Sequence, residues 1–285
     1  MDLETPETTG PERGSLVVAG GKIKDLGIYQ RFLDLAGGPD ALIVIVPTAA
    51  PDEELEKEDF APNLIQAHRQ YGFHRIAVLH TLDREEADSE AFIQPIREAG
   101  GVWMTGGRQW RLADSYLHTR THRELDRLLA RGGVIGGTSA GASIQGDYLA
   151  RGDTESNLKI VGDHTEGFGF IRNVAIDQHV LARNRQFDLK EIIDRHPHLL
   201  GLGIDEDTAI VVTGDEFEVI GSSYVVIYDG ASFYADYNGP IPKHVITRLP
   251  NQSHHFYQLK AGYRYNLRKR KVVHWDDGEI VDRSD

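Results

Sequence analysis

The first half of the chain alternates short apolar runs with longer segments of helical periodicity. Near-continuous apolar runs of this length are typical of parallel strands that are buried on both faces. These runs are Ser15–Gly21, Ala41–Thr48, Arg75–Leu79, Gly101–Thr105 and Gly133–Ile135. The segments between them predict helices over Ile28–Ala36, Leu55–Tyr71, Ser89–Glu98 and Ser115–Ala130. The alternation predicts an α/β fold with a doubly wound, mostly parallel sheet and helices on both of its faces.

The second half of the chain has a strand-rich pattern instead. Ala209–Val212, Glu216–Ile220 and Tyr224–Tyr228 follow one another with Gly and Asp turns, which predicts antiparallel strands added to the same core. We find no low-complexity linker and expect a single domain over residues 15–275. Residues 1–14 are predicted to be a disordered acidic leader, or the remnant of a removed signal peptide, and residues 276–285 a polar tail that frays.

Composition narrows the class of protein without identifying it. Of the 285 residues, 40% are hydrophobic and 26% are charged, as in a globular chain with a sizeable core. No run approaches the roughly 20 apolar residues of a membrane span. The net charge of −13 argues against a nucleic-acid partner, and it suits either a cationic substrate or simply a solvated surface. The absence of cysteine excludes disulfides, a thiol nucleophile and Cys-ligated zinc, but leaves open whether the protein is cytoplasmic or secreted.

The pentapeptide from Gly137 to Gly141 carries the strongest chemical signal. It has the G-x-S-x-G form of a nucleophile elbow, in which Ser139 lies on a sharp turn between a strand and a helix. Small neighbours let the backbone turn tightly, and the N–H of Ala140 then lies where negative charge develops during acyl transfer. The alternatives are an anion-binding turn or an incidental serine.

A serine nucleophile needs a base and an acid, and the chain has one distinctive candidate for each. His179 ends the strand-like run that starts at Val174 and is a candidate base, although a satisfied histidine at a strand end is the alternative. Glu206 lies with two aspartates between apolar segments, and the alternatives there are a solvated turn or a calcium-type oxygen cluster. His118 and His122 have the spacing of a zinc pair but lack an evident third ligand.

Taken together, these motifs resemble the cyanophycinase family of serine peptidases, relatives of the aspartyl dipeptidases. The resemblance rests on Gly136–Ala142, on Asp177–His179 with Arg183 and Arg185, and on Gly203–Ala209, in that order. It covers nearly the whole chain, from Gly20–Gly21 to about Tyr228. It implies a fold like that of the class I glutamine amidotransferases.

The resemblance also implies a role for each matching residue. Ser139 would be the nucleophile, His179 the general base and Glu206 the triad acid. The N–H groups of Ala140 and Gly107 would form the oxyanion hole. The substrate pocket would be lined by Gln109, Asp177, Gln178, Arg183 and Arg185. No metal or cofactor is implied, and relatives lead us to expect a homodimer.

The implied activity is hydrolysis of cyanophycin, a poly-aspartate bearing arginine on each β-carboxylate, to β-Asp-Arg dipeptides through an acyl-enzyme. Two positions depart from the family pattern. Arg108 stands where aspartate is usual, and Asp188 stands where a third arginine is usual, nine residues after the histidine. The alternatives are a dipeptidase for Asp- or isoAsp-containing short peptides and a non-catalytic protein that binds cationic peptides.

Overall fold

The computed structural model describes residues 9–229 and 256–274. At its centre lie five parallel strands in the order β1-β5-β4-β2-β3. They are β1 (Ser15–Ala19), β2 (Leu42–Val46), β3 (Arg75–Val78), β4 (Gly101–Met104) and β5 (Val134–Thr138). Side chains alternate along β1, so that Leu16 and Val18 join one apolar cluster and Val17 and Ala19 join another. The predicted mostly parallel sheet is therefore confirmed, with a core on each face.

Helices alternate with the strands along the chain. They are α1 (Gly27–Ala36), α2 (Asp52–Leu55), α3 (Phe60–Gln70), α4 (Arg84–Ala87), α5 (Glu90–Glu98), α6 (Gln109–Tyr116), α7 (Arg120–Ala130), α8 (Ala140–Ser143) and α9 (Leu189–Arg195). Two predicted helices were wrong in extent. The one over Leu55–Tyr71 is divided between α2 and α3, and the one over Ser115–Ala130 between α6 and α7.

The second interruption has a local cause. His118 has a left-handed backbone with φ of 65°, which no α-helix accommodates. The hydroxyl of Thr119 donates to the carbonyl of Tyr116 at 2.7 Å, and Arg84 donates to the carbonyl of Leu117 at 2.8 Å. Side-chain donors thus bind carbonyls at the end of α6, and the chain turns before α7 begins.

Antiparallel strands extend the central sheet beyond β1, as predicted. They are β9 (Thr208–Thr213), β10 (Glu216–Gly221), β13 (Arg264–Asn266) and β14 (Lys271–His274). β9 pairs antiparallel with β1, and β10 pairs with β9. Among the described residues, nine strands form this sheet, in the order β14-β13-β10-β9-β1-β5-β4-β2-β3.

A second sheet was not foreseen from the sequence. Its strands are β6 (Gly146–Tyr148), β7 (Ile171–Gln178), β8 (Leu200–Ile204), β11 (Tyr224–Tyr228) and β12 (Tyr257–Lys260). β6, β7 and β8 are parallel, β11 pairs antiparallel with β8, and β12 pairs antiparallel with β11. Tyr224–Tyr228 therefore pairs within the second sheet, while its Val225 and Ile227 pack in the same apolar cluster as Leu16 and Val18 of β1. The turn after β10 is held by Ser223, whose N–H donates to Thr208 Oγ1 at 2.8 Å, and it directs β11 to the second sheet.

The chain termini differ in part from expectation. Thr9–Gly14, assigned above to the disordered leader, include residues that bind the body: the Thr9 N–H donates to Asp215 at 2.6 Å and its carbonyl accepts from Arg172 at 2.8 Å. Residues 1–8, the predicted boundary at residue 275 and the predicted tail lie outside the described residues. In the ranges that are described, none of the helices has both the length and the apolar character needed to cross a bilayer.

The packing of β5 against β4 generates a stability prediction. A Cβ atom on Gly136 would lie 2.4 Å from the fully buried Trp103 ring and 2.7 Å from Phe32. We expect Gly136→Ala to lower the free energy of unfolding by about 1–3 kcal/mol through overpacking. Trp103→Phe would make room for the methyl group. In urea unfolding, the double variant should lose less stability than the sum of the losses of the two single variants. A loss equal to that sum would contradict this packing account.

Candidate active site

Ser139 lies at a strained turn between β5 and α8. Its φ of 56° and ψ of −110° are a backbone conformation that residues with a side chain rarely adopt. The flanking glycines leave no space for a side chain. A Cβ atom on Gly137 would lie 2.2 Å from the carbonyl oxygen of Gly141, and one on Gly141 would lie 2.2 Å from that of Met104. The turn thus has the strand–turn–helix context of a nucleophile elbow.

Ser139, His179 and Glu206 form one continuous chain of hydrogen bonds. Ser139 Oγ lies 2.9 Å from His179 Nε2, and His179 Nδ1 lies 2.8 Å from Glu206 Oε1. His179 follows the end of β7, and Glu206 lies in the turn between β8 and β9. The structure therefore brings together three residues that are 40 and 27 positions apart in the chain.

The end of β1 holds the three segments that carry these side chains. The carbonyl of Ala19 accepts from the N–H of Ser139 at 3.0 Å, and that of Gly20 accepts from the N–H of His179 at 3.1 Å. The carbonyl of Gly21 accepts from the N–H of Asp207, next to Glu206, at 2.8 Å. The sequence drew attention to Gly20–Gly21 only as a glycine turn at a strand end.

Gly21 also makes room for the imidazole of His179. Its φ of 130° favours glycine, and a Cβ atom there would lie 2.1 Å from His179 Cε1. The ring of His179 therefore packs directly against the backbone of Gly21, which limits how far the ring can rotate away from Ser139.

The three neighbouring carboxylates after β8 have three separate sets of contacts. Glu206 binds His179, as described above. Asp205 accepts from the N–H groups of Leu181 and Ala182, at 3.0 and 2.9 Å, and so holds the turn after His179. Asp207 accepts from the N–H groups of Lys24 and Asp25, at 2.6 and 2.7 Å, and so holds the turn after β1. Two of the acids therefore fix the loops on either side of the one that contacts the histidine.

The electrostatics of the site favour a neutral histidine beside an ionised glutamate. Burial lowers the pKa of His179; Glu206 works to raise it, and the charges of Arg183 and Arg185 lower it further. Burial works to raise the pKa of Glu206, but hydrogen bonds from Lys22 and His179 outweigh it and lower that pKa. With Nδ1–H donated to Glu206, the neutral imidazole presents Nε2 as an acceptor toward the Ser139 hydroxyl.

Lys22 is a neighbour of this site that the sequence did not single out. Its Nζ lies 3.0 Å from Glu206 Oε1, the same oxygen that His179 approaches. Lys22 has a left-handed backbone with φ of 40°, in the turn that Asp207 holds. A glycine pair followed by lysine at a strand end could have indicated it, but only once Glu206 was known to face that turn.

Two backbone N–H groups flank the serine without an acceptor. The N–H of Ala140 begins α8, and Gly107 lies in the turn before α6 with φ of 141°. In the described part of the chain, the backbone hydrogen bonds that are made outside regular helices and strands include none from either N–H group. A Cβ atom on the neighbouring Gly106 would lie 3.3 Å from Ser139 Cβ, so this turn lies close beside the serine. The arrangement can bind a developing oxyanion.

The five pocket residues expected from the resemblance differ in exposure and bonding. Gln109 and Gln178 are buried, and the Oε1 atom of each has no hydrogen-bond partner among the described residues. Arg183 is exposed, whereas Arg185 is buried and its Nη1 lies 3.5 Å from the carbonyl oxygen of Gln178. Asp177 has no exposed surface, because its two carboxylate oxygens bind Arg151.

The departures from the family pattern are also bonded within the chain. Arg108 donates to the carbonyl of Asp153 at 2.6 Å, and Asp188 accepts a hydrogen bond from Arg151. Arg151 was missed from the sequence because nothing in its local pattern distinguishes it from a surface arginine. His118 and His122 lie elsewhere, against Glu166 and the Phe168 carbonyl.

Comparison with known proteins places this geometry in a family. Residues 16–220 match peptidase family S51. A protein named cyanophycinase from Geminocystis herdmanii is 33% identical over 268 residues, which are 92% of this chain and 96% of that protein. One of the same name from Trichormus variabilis is 31% identical over 282 residues, or 96% and 91% of the two chains.

Solved structures agree with the sequence match. A peptidase from an acI-B1 Actinobacterium is similar with a TM-score of 0.64 at 25% identity, over 90% of this chain and 98% of that one. A peptidase E protein of Listeria monocytogenes shares the fold, with a TM-score of 0.55 at 17% identity over 74% and 99%. Because the family match spans most of the chain and the named relatives are 31 and 33% identical over nearly all of it, this protein belongs to peptidase family S51 and is a serine-type peptidase.

Proposed function

We propose that this peptidase is an exopeptidase that hydrolyses cyanophycin to β-Asp-Arg dipeptides, with Ser139, His179 and Glu206 as its catalytic triad. The observation that carries the proposal is the unbroken hydrogen-bonded chain from Ser139 Oγ through the imidazole to Glu206 Oε1. The relatives named cyanophycinase support the choice of substrate.

The proposed reaction proceeds through an acyl-enzyme. Ser139 Oγ attacks the scissile carbonyl carbon while its proton passes to His179 Nε2. Glu206 stabilises the imidazolium through Nδ1–H, and the imidazolium then protonates the leaving amine as the C–N bond breaks. A water molecule, deprotonated by the same nitrogen, hydrolyses the ester and releases the product. The N–H groups of Ala140 and Gly107 hold the oxyanion in both tetrahedral intermediates.

The charges of the pocket suit the chemistry of this substrate. Each unit of cyanophycin carries a free arginine carboxylate and a guanidinium group. Arg183 and Arg185 supply positive charge beside His179 and would bind a carboxylate. The unpartnered oxygens of Gln109 and Gln178 would accept hydrogen bonds from substrate N–H groups.

A second candidate function is a dipeptidase for Asp- or isoAsp-containing short peptides. Asp188 favours it, since an acid stands where the family pattern has a third pocket arginine. The alternative of a non-catalytic binder of cationic peptides has less support, because a pure binding site has no use for a strained serine hydrogen-bonded to a histidine–glutamate pair.

Replacing the nucleophile tests the proposed function directly. We expect Ser139→Ala to lower turnover of purified cyanophycin by about 10³–10⁶-fold with unchanged thermal unfolding. Ser143→Ala is the matched control, since Ser143 is a buried serine four residues further along, and it should retain activity. Mass spectrometry of the products should find β-Asp-Arg. Cleavage of Asp-X dipeptides without cleavage of cyanophycin would favour the second candidate, and full activity of Ser139→Ala would refute the triad.

The pH dependence of kcat/KM gives a further prediction. The base must be neutral, so activity falls as the pH drops through the pKa of His179. Burial and the nearby arginines lower this pKa, so activity should persist below pH 6.5, the ordinary histidine value. Arg183→Gln removes one lowering charge and should move the acidic midpoint upward, whatever it does to KM. Arg195→Gln alters an exposed arginine that pairs with Glu191 and should leave the midpoint in place; equal midpoints for all three proteins would contradict the account.

A further inference from the structure

We propose that Arg151 is a positioning residue of the substrate pocket. The family pattern places a guanidinium at position 188, and in this protein Arg151 supplies it from beneath the pocket. This inference concerns the pocket of the proposed function and adds a residue that the family pattern does not include. It explains why the chain can carry an acid at position 188.

The guanidinium of Arg151 uses all its donors within the protein. Nε and Nη2 bind the two carboxylate oxygens of Asp177 at 2.7 and 2.9 Å, and Nη2 also binds Asp188. Nη1 donates to the carbonyls of Asn157 and Leu158 at 3.1 and 3.2 Å. Five N–H groups thus have five acceptors, which is the full capacity of a guanidinium. Arg151 therefore acts through its neighbours and does not contact the substrate.

The burial of Arg151 makes these contacts specific. Its side chain is 1% exposed and that of Asp177 is 0% exposed. Removing the cation that is ion-paired to a buried carboxylate is strongly unfavourable, because the carboxylate keeps its charge away from water. Arg151 also holds a left-handed backbone with φ of 57°, a conformation that favours glycine. The chain keeps an arginine at a position whose backbone would suit glycine better, which indicates that the guanidinium itself is required.

One pocket glutamine is bonded directly to this ion-pair network, and a second is bonded to the backbone next to it. Gln109 Nε2 donates to the carbonyl of Ala150, which precedes Arg151, at 2.8 Å. The backbone N–H of Gln178 donates to Asp177 Oδ1 at 2.9 Å. These bonds hold both glutamines while their Oε1 atoms stay buried without a partner, available to a ligand. Loss of Arg151 would release Asp177 and the loop at Ala150 together, and both acceptors would move.

Asp188 completes the charge arrangement. In the family pattern this position is an arginine, whereas here Asp188 accepts a hydrogen bond from Arg151. The guanidinium that Asp177 binds comes from Arg151. Asp177 therefore has a guanidinium partner although position 188 carries an acid.

Variants of Arg151 test the inference by separating binding from chemistry. We expect Arg151→Gly, which relieves the backbone strain, to raise KM by about tenfold or more while kcat changes by less than about threefold. The double variant Arg151→Gly/Asp188→Arg returns a guanidinium to Asp177 and should bring KM back to within about threefold of the native protein. Arg195→Ala, an exposed arginine on α9, is the control and should leave KM unchanged.

The double variant tests the inference even if Arg151→Gly alone does not fold, because it restores the buried charge pair. A folded Arg151→Gly protein with native KM would overturn the inference. So would a double variant whose unfolding temperature equals that of the native protein but whose KM stays raised, since a guanidinium at position 188 would then not replace that of Arg151 in the pocket. KM is measured on cyanophycin and on an aspartyl dipeptide, so that failure of the native protein on cyanophycin refutes only the proposed substrate.

Discussion

Three consecutive carbonyl groups at the end of β1 are the constraint on which the site depends. Ala19, Gly20 and Gly21 accept from the backbones of Ser139, His179 and Asp207, so one strand end fixes the elbow, the histidine and the segment of the acid. β1 can do this because it lies between parallel β5 and antiparallel β9 in the central sheet. The alignment of the proposed triad is thus a property of backbone hydrogen bonds, and side chains refine it.

Charge is distributed around this framework in two different ways. Near the serine, Arg183 and Arg185 have no acidic partner among the described ion pairs, and their charges add to burial in lowering the pKa of His179. Beneath the pocket, Arg151 is buried with Asp177 and also binds the partly exposed Asp188. The first arrangement suits an anionic group of a ligand, and the second provides rigidity, because a fully bonded buried network has few alternative arrangements.

Local patterns predicted the parallel strands and the elbow well. Buried parallel strands are continuous apolar runs, and a serine between glycines at a strand end has few structural explanations. The prediction failed where a non-local contact decides the structure. The helix expected over Ser115–Ala130 is interrupted at His118, where donors from Thr119 and Arg84 bind carbonyls. The strand Tyr224–Tyr228 was recognised, but its partner β8 is distant in sequence and its sheet could not be assigned.

The sequence by itself determined the fold class, the strained serine and, through the resemblance, the histidine and glutamate that accompany it. Each of these depends on short-range pattern or on motifs in a recognisable order. Only the tertiary structure decided what the glycine pair after β1, Lys22 and Arg151 contact. The partners of the two glycines and of Lys22 lie 158 or more residues away in the chain, and those of Arg151 lie 26 and 37 residues away. A carbonyl or a guanidinium carries no sequence signal of the group that it will meet, and only folding brings the two together.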